Sequence, residues 1–235
     1  MKSREKRRRV VTLLLVACAP IGFFVWFMMQ PPPVEPPIGP QGVTVSDEPL
    51  AREQLEKLEV KNHQTASKYV RSEFGNGWAA WNSCDTRQKI LARDLTELTY
   101  GENGCTVLTG VLNDPYTGEV INFVRGTGTS NAVQIDHVVA LSNAWSTGAS
   151  YWDKTKRVQL ANDDMELLAV DGKANQQKSN SDASSWLPSN VAFRCQYVAR
   201  QIAVKVKYAL WVTAAEKSAM SKVLDTCPAQ RLPAP

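Results

Sequence analysis

The chain has only two histidines, His63 and His137, so it lacks the His/Cys-rich cage that a zinc site prefers. No internal repeat is apparent, and no second domain boundary stands out between Val43 and Cys227. That leaves one sizeable domain plus an appendage. Charge is absent from residues 10–29. At helical rise this uncharged, apolar stretch covers about 30 Å, enough to cross a bilayer core. Acids are absent between Asp182 and Glu216, where Arg194, Arg200, Lys205 and Lys207 stand.

The apolar stretch follows Lys2, Arg4, Lys6, Arg7, Arg8 and Arg9, which belong on the cytoplasmic side of a membrane. No small-x-small cleavage site follows it. Leu15-Val16-Ala17-Cys18 resembles a lipoprotein box, but the chain stays apolar after Cys18. The expectation is a basic cytoplasmic tail over 1–9, a transmembrane signal anchor over 10–29, a proline-rich stalk over 30–47 and a folded domain over 48–235. The protein is then a single-pass cell-membrane protein with an extracytoplasmic C-terminal domain, or a secreted one if the N-terminal segment is cleaved. Six of the 27 basic residues and one of the 23 acids fall in residues 1–30, leaving 21 against 22, a net of −1. The positive charge of the whole chain therefore shows no nucleic-acid surface, and any such surface is local.

Beyond residue 30 the cysteines are Cys84, Cys105, Cys195 and Cys227, an even number for an oxidising compartment. Of the three possible pairings, Cys84–Cys105 and Cys195–Cys227 are favoured, because each joins segments expected to pack as neighbours. Four free thiols are the alternative.

Helical spacing predicts helices over 50–58 and 86–98, the second opened by Asp85 as N-cap. Residues 105–125 read as a hairpin around the turn Asn113-Asp114-Pro115-Tyr116-Thr117-Gly118. Strands are expected over 133–139 and 167–170, a helical turn over 140–146 and a helix over 154–160. The tail is helical over 193–211, and Thr213-Ala214-Ala215-Glu216 is a capping box for a last helix reaching 224. The class is α+β, with a small antiparallel sheet and surrounding helices.

Ile135-Asp136-His137-Val138-Val139, read with Asn175-Gln176-Gln177-Lys178, carries the chemistry. Phosphodiester hydrolysis needs a base for the attacking water, positive charge at the phosphate and help for the departing oxygen. An imidazole suits the base, and a hard cation takes oxygen from Asp136 and Asn175. Neighbouring strand residues face opposite ways, so Asp136 and His137 share a site only at a bend or strand end, which is expected here. Asn175 and Lys178 share a helical face, and Lys178 suits a phosphate oxygen.

This order of acid-His strand, strand and Asn-bearing helix resembles the HNH nucleases of the ββα-metal superfamily. More narrowly, it is similar to the exported HNH endonuclease family related to the C-terminal part of GmrSD restriction enzymes. Cys84-Asp85-Thr86-Arg87, Asp114-Pro115-Tyr116-Thr117-Gly118, Leu167-Leu168-Ala169-Val170-Asp171-Gly172 and Trp186-Leu187-Pro188 extend the likeness. The resemblance implies a ββα-metal core, His137 as general base, and Asp136 and Asn175 as ligands of one divalent ion, Mg²⁺ with Mn²⁺ as an option. It implies a monomer acting on nucleic acid, DNA ahead of RNA. Where the family carries a loop-bracing Asn, this chain has Glu166, and Asn162 is a candidate substitute. The alternative function is a nucleic-acid-binding surface module of the same fold with little or no turnover.

Other residues read first as structural. Asp85 and Arg87 suggest a cap or ion pair, Asp171 and Asp182 caps or turns, and Trp145, Trp152, Trp186 and Trp211 core. Arg125 is a minor candidate for phosphate. The basic run over 194–207 is a candidate backbone-tracking face.

Overall fold

The computed structural model describes residues 47–81 and 83–234. The tail, the apolar stretch over 10–29 and the stalk up to residue 46 lie outside the described residues. The chain opens with α1 (Ala51–Lys57), a 3₁₀ turn at Arg71–Phe74 and two short antiparallel strands, β1 (Ala80–Trp81) and β2 (Cys84–Asp85). Helix α2 (Thr86–Asp94) starts where Asp85 accepts a hydrogen bond from the Gln88 amide at 3.0 Å, the cap read from the sequence. It is shorter than expected: after Leu95 the chain turns into β3 (Thr96–Tyr100). This strand pairs antiparallel with β4 (Val107–Asn113), which pairs with β5 (Val120–Val124) as the expected hairpin. Leu95 and Leu98 close over Gly110, where an added Cβ would sit 2.9 Å from a Leu95 methyl. Continuing the helix to residue 98 would lose that contact.

The remaining elements are β6 (Val133–His137), α3 (Leu141–Ser146), α4 (Lys154–Ala161), β7 (Leu167–Asp171), α5 (Gly172–Lys178), α6 (Arg194–Tyr208) and α7 (Ala214–Asp225). Strands β6 and β7 form their own antiparallel pair, with Asp136 opposite Leu168 and His137 opposite Leu167. With α5 following β7, this is a ββα unit in an α+β fold, as the sequence implied.

The ββ pair is buried on both faces, which explains the unbroken apolar run over 167–170. Val133, Ile135, Leu167 and Ala169 face a small core shared with α2 and the three-stranded sheet. Leu168 and Val170 face the larger core built with α1, α6 and α7. The two expected disulfides are present, Cys84–Cys105 and Cys195–Cys227, with Cα separations of 6.1 and 6.4 Å. Trp145 and Trp211 are buried, and Trp152 and Trp186 pack on the larger core, so all four belong to the core as read.

Among the described residues no helix is long and apolar enough to cross a membrane. The longest, α6, has 15 residues, about 22 Å against the ~30 Å of a hydrocarbon core.

Gly172 opens α5 where the backbone of Asn131 crosses it. A Cβ there would lie 2.0 Å from the Asn131 carbonyl oxygen. Gly172→Ala must push apart the 3₁₀ turn at Ser130–Ala132 and the helix carrying Asn175. A loss of about 1–3 kcal/mol is expected in urea unfolding; an unchanged midpoint would refute this packing argument.

Candidate active site

Strand alternation places Asp136 and His137 on opposite faces of β6. Asp136 points toward α5, and His137 toward the small core. His137 is the last residue of the strand, so both side chains reach one cleft at its end, as the sequence reading required. The cleft has a volume of about 380 Å³ and is also lined by Tyr69, Arg71, Ser142, Asn175, Ser179 and Asn180.

Asp136 is held from two sides. Its Oδ2 accepts from the Tyr116 hydroxyl at 2.5 Å and its Oδ1 from Lys178 Nζ at 2.9 Å. Burial pushes the Asp136 carboxyl up, opposed by Lys178 and Tyr116. Tyr116 is fully buried against Trp186 and Tyr197, and is delivered by the turn that the sequence singled out. In that turn Asp114 accepts from the Thr117 amide at 2.7 Å, and Gly118 adopts φ +80°. The other oxygen of Asp114 accepts from the Asp171 amide at 2.8 Å, clamping the hairpin to the start of α5.

Lys178 is not in the cleft wall. It is fully buried, and besides Asp136 its ammonium donates to the His137 carbonyl oxygen at 2.8 Å. The i, i+3 relation to Asn175 is correct, but Lys178 lies beneath the site and Asn175 at its surface. Asp171 caps α5 through the Ala174 amide at 2.7 Å. Asn175 donates its amide to Gln134 Oε1 at 2.9 Å, which turns its carbonyl oxygen to other partners.

His137 Nε2 lies 3.0 Å from the Ala161 carbonyl oxygen. A carbonyl only accepts, so Nε2 carries the proton and Nδ1 the lone pair. The Trp78 ring stacks on the imidazole at 5.6 Å and 11°. Burial pushes its pKa down to about 3; Ala161 opposes this, and the charges of Arg71 and Lys178 reinforce it. The ring is neutral at physiological pH.

Glu166 performs the brace expected of the family Asn, as an acceptor. Its Oε2 accepts from the Val139 amide at 3.2 Å and its backbone carbonyl from the Val138 amide at 2.9 Å. Burial pushes its carboxyl well above the ordinary range. Asn162 is not the substitute: it accepts from the Ala79 amide and donates to the Val158 carbonyl, both at 2.9 Å.

The basic run over 194–207 is consumed internally. Arg194 donates to the Pro188 carbonyl, Arg200 to the carbonyls of Asp164, Met165 and Leu167, Lys205 meets Glu216 in the core, and Lys207 pairs with Asp163. Arg87 donates to the Val133 carbonyl at 2.9 Å. Arg125 is exposed, outside the cleft wall.

Residues 85–223 match the model of the GmrSD restriction endonucleases, C-terminal domain. The chain belongs to this family. The GmrSD C-terminal domain thus covers both strands and the helix of the site, and membership places the chain within an endonuclease family related to HNH nucleases. A relative from Arthroderma benhamiae, called an "Uncharacterized secreted protein", is 36% identical over 179 residues, 75% of this chain and 84% of its own length. No solved structure matches. The expected single-pass membrane localisation, with membrane contact through residues 10–29, is corrected on these grounds. The relative is described as secreted, and both disulfides suit an oxidising compartment.

Sequence reasoning missed Tyr116, Gln134, Trp78 and Arg71. Tyr116 stood in a motif already singled out, and Gln134 is two residues from Asp136 on the same strand face, so both had a signal. Trp78 and Arg71 lie in irregular chain with no periodicity to place them.

Glu166 supplies a pH test. Burial raises its pKa in the folded protein well above the ordinary value of 4.5, near which the unfolded chain ionises it. The raised folded value gives a stabilising contribution that is full below 4.5 and lost as pH rises. Glu166→Gln keeps the acceptor and removes the titration. The variant should gain stability over the native chain at pH 7.5 but not at pH 4 in urea unfolding. An equal difference at both pH values would rule this out.

Proposed function

We propose that the chain is a secreted, metal-dependent endonuclease that hydrolyses phosphodiester bonds of nucleic acid, DNA ahead of RNA. The observation that supports this most is the tautomer of His137: the Ala161 carbonyl accepts a hydrogen bond from Nε2–H, so Nδ1 is the basic nitrogen of a neutral ring in a cleft with two oxygen donors. His137 takes the proton of the attacking water at Nδ1 as the water oxygen bonds to phosphorus and the 3′ oxygen leaves. The negative charge of a bound phosphate opposes the burial effect and raises the basicity of the imidazole.

The donor set fits a hard divalent cation, Mg²⁺ first and Mn²⁺ second. Among the described residues no cluster of three or more His, Cys, Asp or Glu could hold a metal. The Asn175 carbonyl oxygen, with its amide engaged by Gln134, and the remaining lone pairs of Asp136 supply the one or two protein oxygens such an ion takes. When bound, the ion supplies Lewis-acid stabilisation of the phosphate and the departing oxygen. Lys178 holds Asp136 in place and does not touch substrate in this reading.

A second reading is nucleic-acid retention without turnover. The Lys178 ammonium favours it, because it already neutralises Asp136 and competes with a cation there. Digestion of plasmid DNA and RNA by the purified protein with Mg²⁺ or Mn²⁺ separates the two. His137→Ala should lower cleavage by ~10²-fold or more while nucleic-acid binding persists, and EDTA should abolish it. Equal cleavage by native protein and His137→Ala would end the proposal, and binding without cleavage under any metal condition would select the second reading.

A further inference from the structure

A second cleft of about 110 Å³ also meets His137, lined by Phe74, Trp78 and Ala161 among others. Arg71 lines both clefts, so it stands where they meet at His137. It precedes the stretch matched by the family model. Its side chain is exposed, yet its backbone is firmly seated. Tyr69 and Phe74, on either side of it in sequence, both pack on the Trp145 ring with centroids 6.1 Å away. Glu73 in the same turn pairs with Arg157 at 2.6 Å. Among the described residues no carboxylate forms an ion pair with Arg71, whereas Lys178, the other cation beside the site, is committed to Asp136. A guanidinium without an acidic partner, on a braced turn at the mouth of an oxygen-lined cleft, lacks a counterion that the cleft can admit.

We propose that Arg71 is the substrate-binding residue that grips the scissile phosphate, its planar fork meeting two non-bridging oxygens. This deepens the nuclease reading and rests on it for the identity of the phosphate. The substrate class is a nucleic-acid strand entering with its phosphodiester oxyanion toward Arg71 and its phosphorus beside His137 Nδ1. The protein beyond residue 30 is close to neutral, so recognition depends on this local charge.

The test uses the purified full-length chain, a fluorescein-labelled single-stranded DNA and EDTA, so that binding is read by anisotropy without cleavage. Native protein and His137→Ala should bind alike. Arg71→Ala should weaken binding by roughly tenfold and reduce the salt slope by about one. Arg71→Lys, which keeps charge but not the fork, should fall between them. With Mg²⁺ added, the cleavage rate at subsaturating DNA should fall from native protein through Arg71→Lys to Arg71→Ala. Arg71-dependent binding without cleavage by any variant sustains the phosphate grip and removes the nuclease reading. Cleavage that needs His137 but is unchanged, with binding unchanged, in Arg71→Ala overturns the grip and leaves the nuclease reading standing. No binding by the native chain also overturns the grip.

Discussion

The ion pair between Lys178 and Asp136 is withdrawn from water, and the geometry of the site depends on it. An ammonium buried without a partner costs several kcal/mol, and so does a carboxylate. The pair persists because each member is satisfied further: Lys178 by the His137 carbonyl, Asp136 by the Tyr116 hydroxyl. These bonds join three separate pieces of chain. Lys178 ends α5, Asp136 and His137 end β6, and Tyr116 sits in the hairpin turn after β4. Because Asp114 of that turn also accepts from Asp171 at the head of α5, helix and turn are fastened at two points. Asn175, midway along α5, has its height above the strand set by both fastenings. The apolar walls shield the pair from water, and the pair in turn fixes where the helix lies on those walls.

The ββα unit and the elements beside it were legible because their signals are local. Asp85 and Asp171 have the chemistry of caps, Gly118 and Gly172 stand where backbone needs room, and the run over 167–170 has the length of a strand buried on both faces. A bend or strand end near His137 was expected from alternation alone, because two adjacent side chains share a cleft only there; the strand itself was read to 139 and stops at His137. What failed was decided by partners distant in sequence. Nothing in residues 86–98 says that Leu95 and Leu98 will close over Gly110, yet that contact ends α2 and begins β3. Nothing in the charge pattern over 194–207 says that the carbonyls of 164, 165 and 167 will take up Arg200, or that Glu216 will meet Lys205 in the core. Spacing identifies a face; only tertiary structure says whether that face meets water.

The same distinction explains Lys178 and Glu166. Read as a surface helix, α5 offers Lys178 to a phosphate; read as the cover of a buried strand, it drives Lys178 inward. Glu166 looked unsuited to a brace because an ionised carboxylate cannot donate. Its actual task is to accept from the Val139 amide, for which no donor is needed, and burial raises its pKa besides. Its position is compatible with the loop, at the expense of a pH-dependent stability that an amide would not carry.

The site joins two layers of different origin. The sheet and helix hold the oxygen donors and the imidazole within the family-matched stretch, and their positions are set by buried bonds. The wall opposite comes from residues 69–78, irregular chain pinned by aromatic packing on Trp145 and by the Glu73–Arg157 pair. Trp78 from this wall removes water from one face of His137, which holds the ring neutral but also makes it a weak base. A neutral, poorly solvated imidazole becomes an effective proton acceptor only when negative charge arrives beside it. On the proposed nuclease reading, the phosphate that brings this charge is also the substrate to be cut, so His137 would strengthen as a base when the cleft is loaded and stay quiet when it is empty.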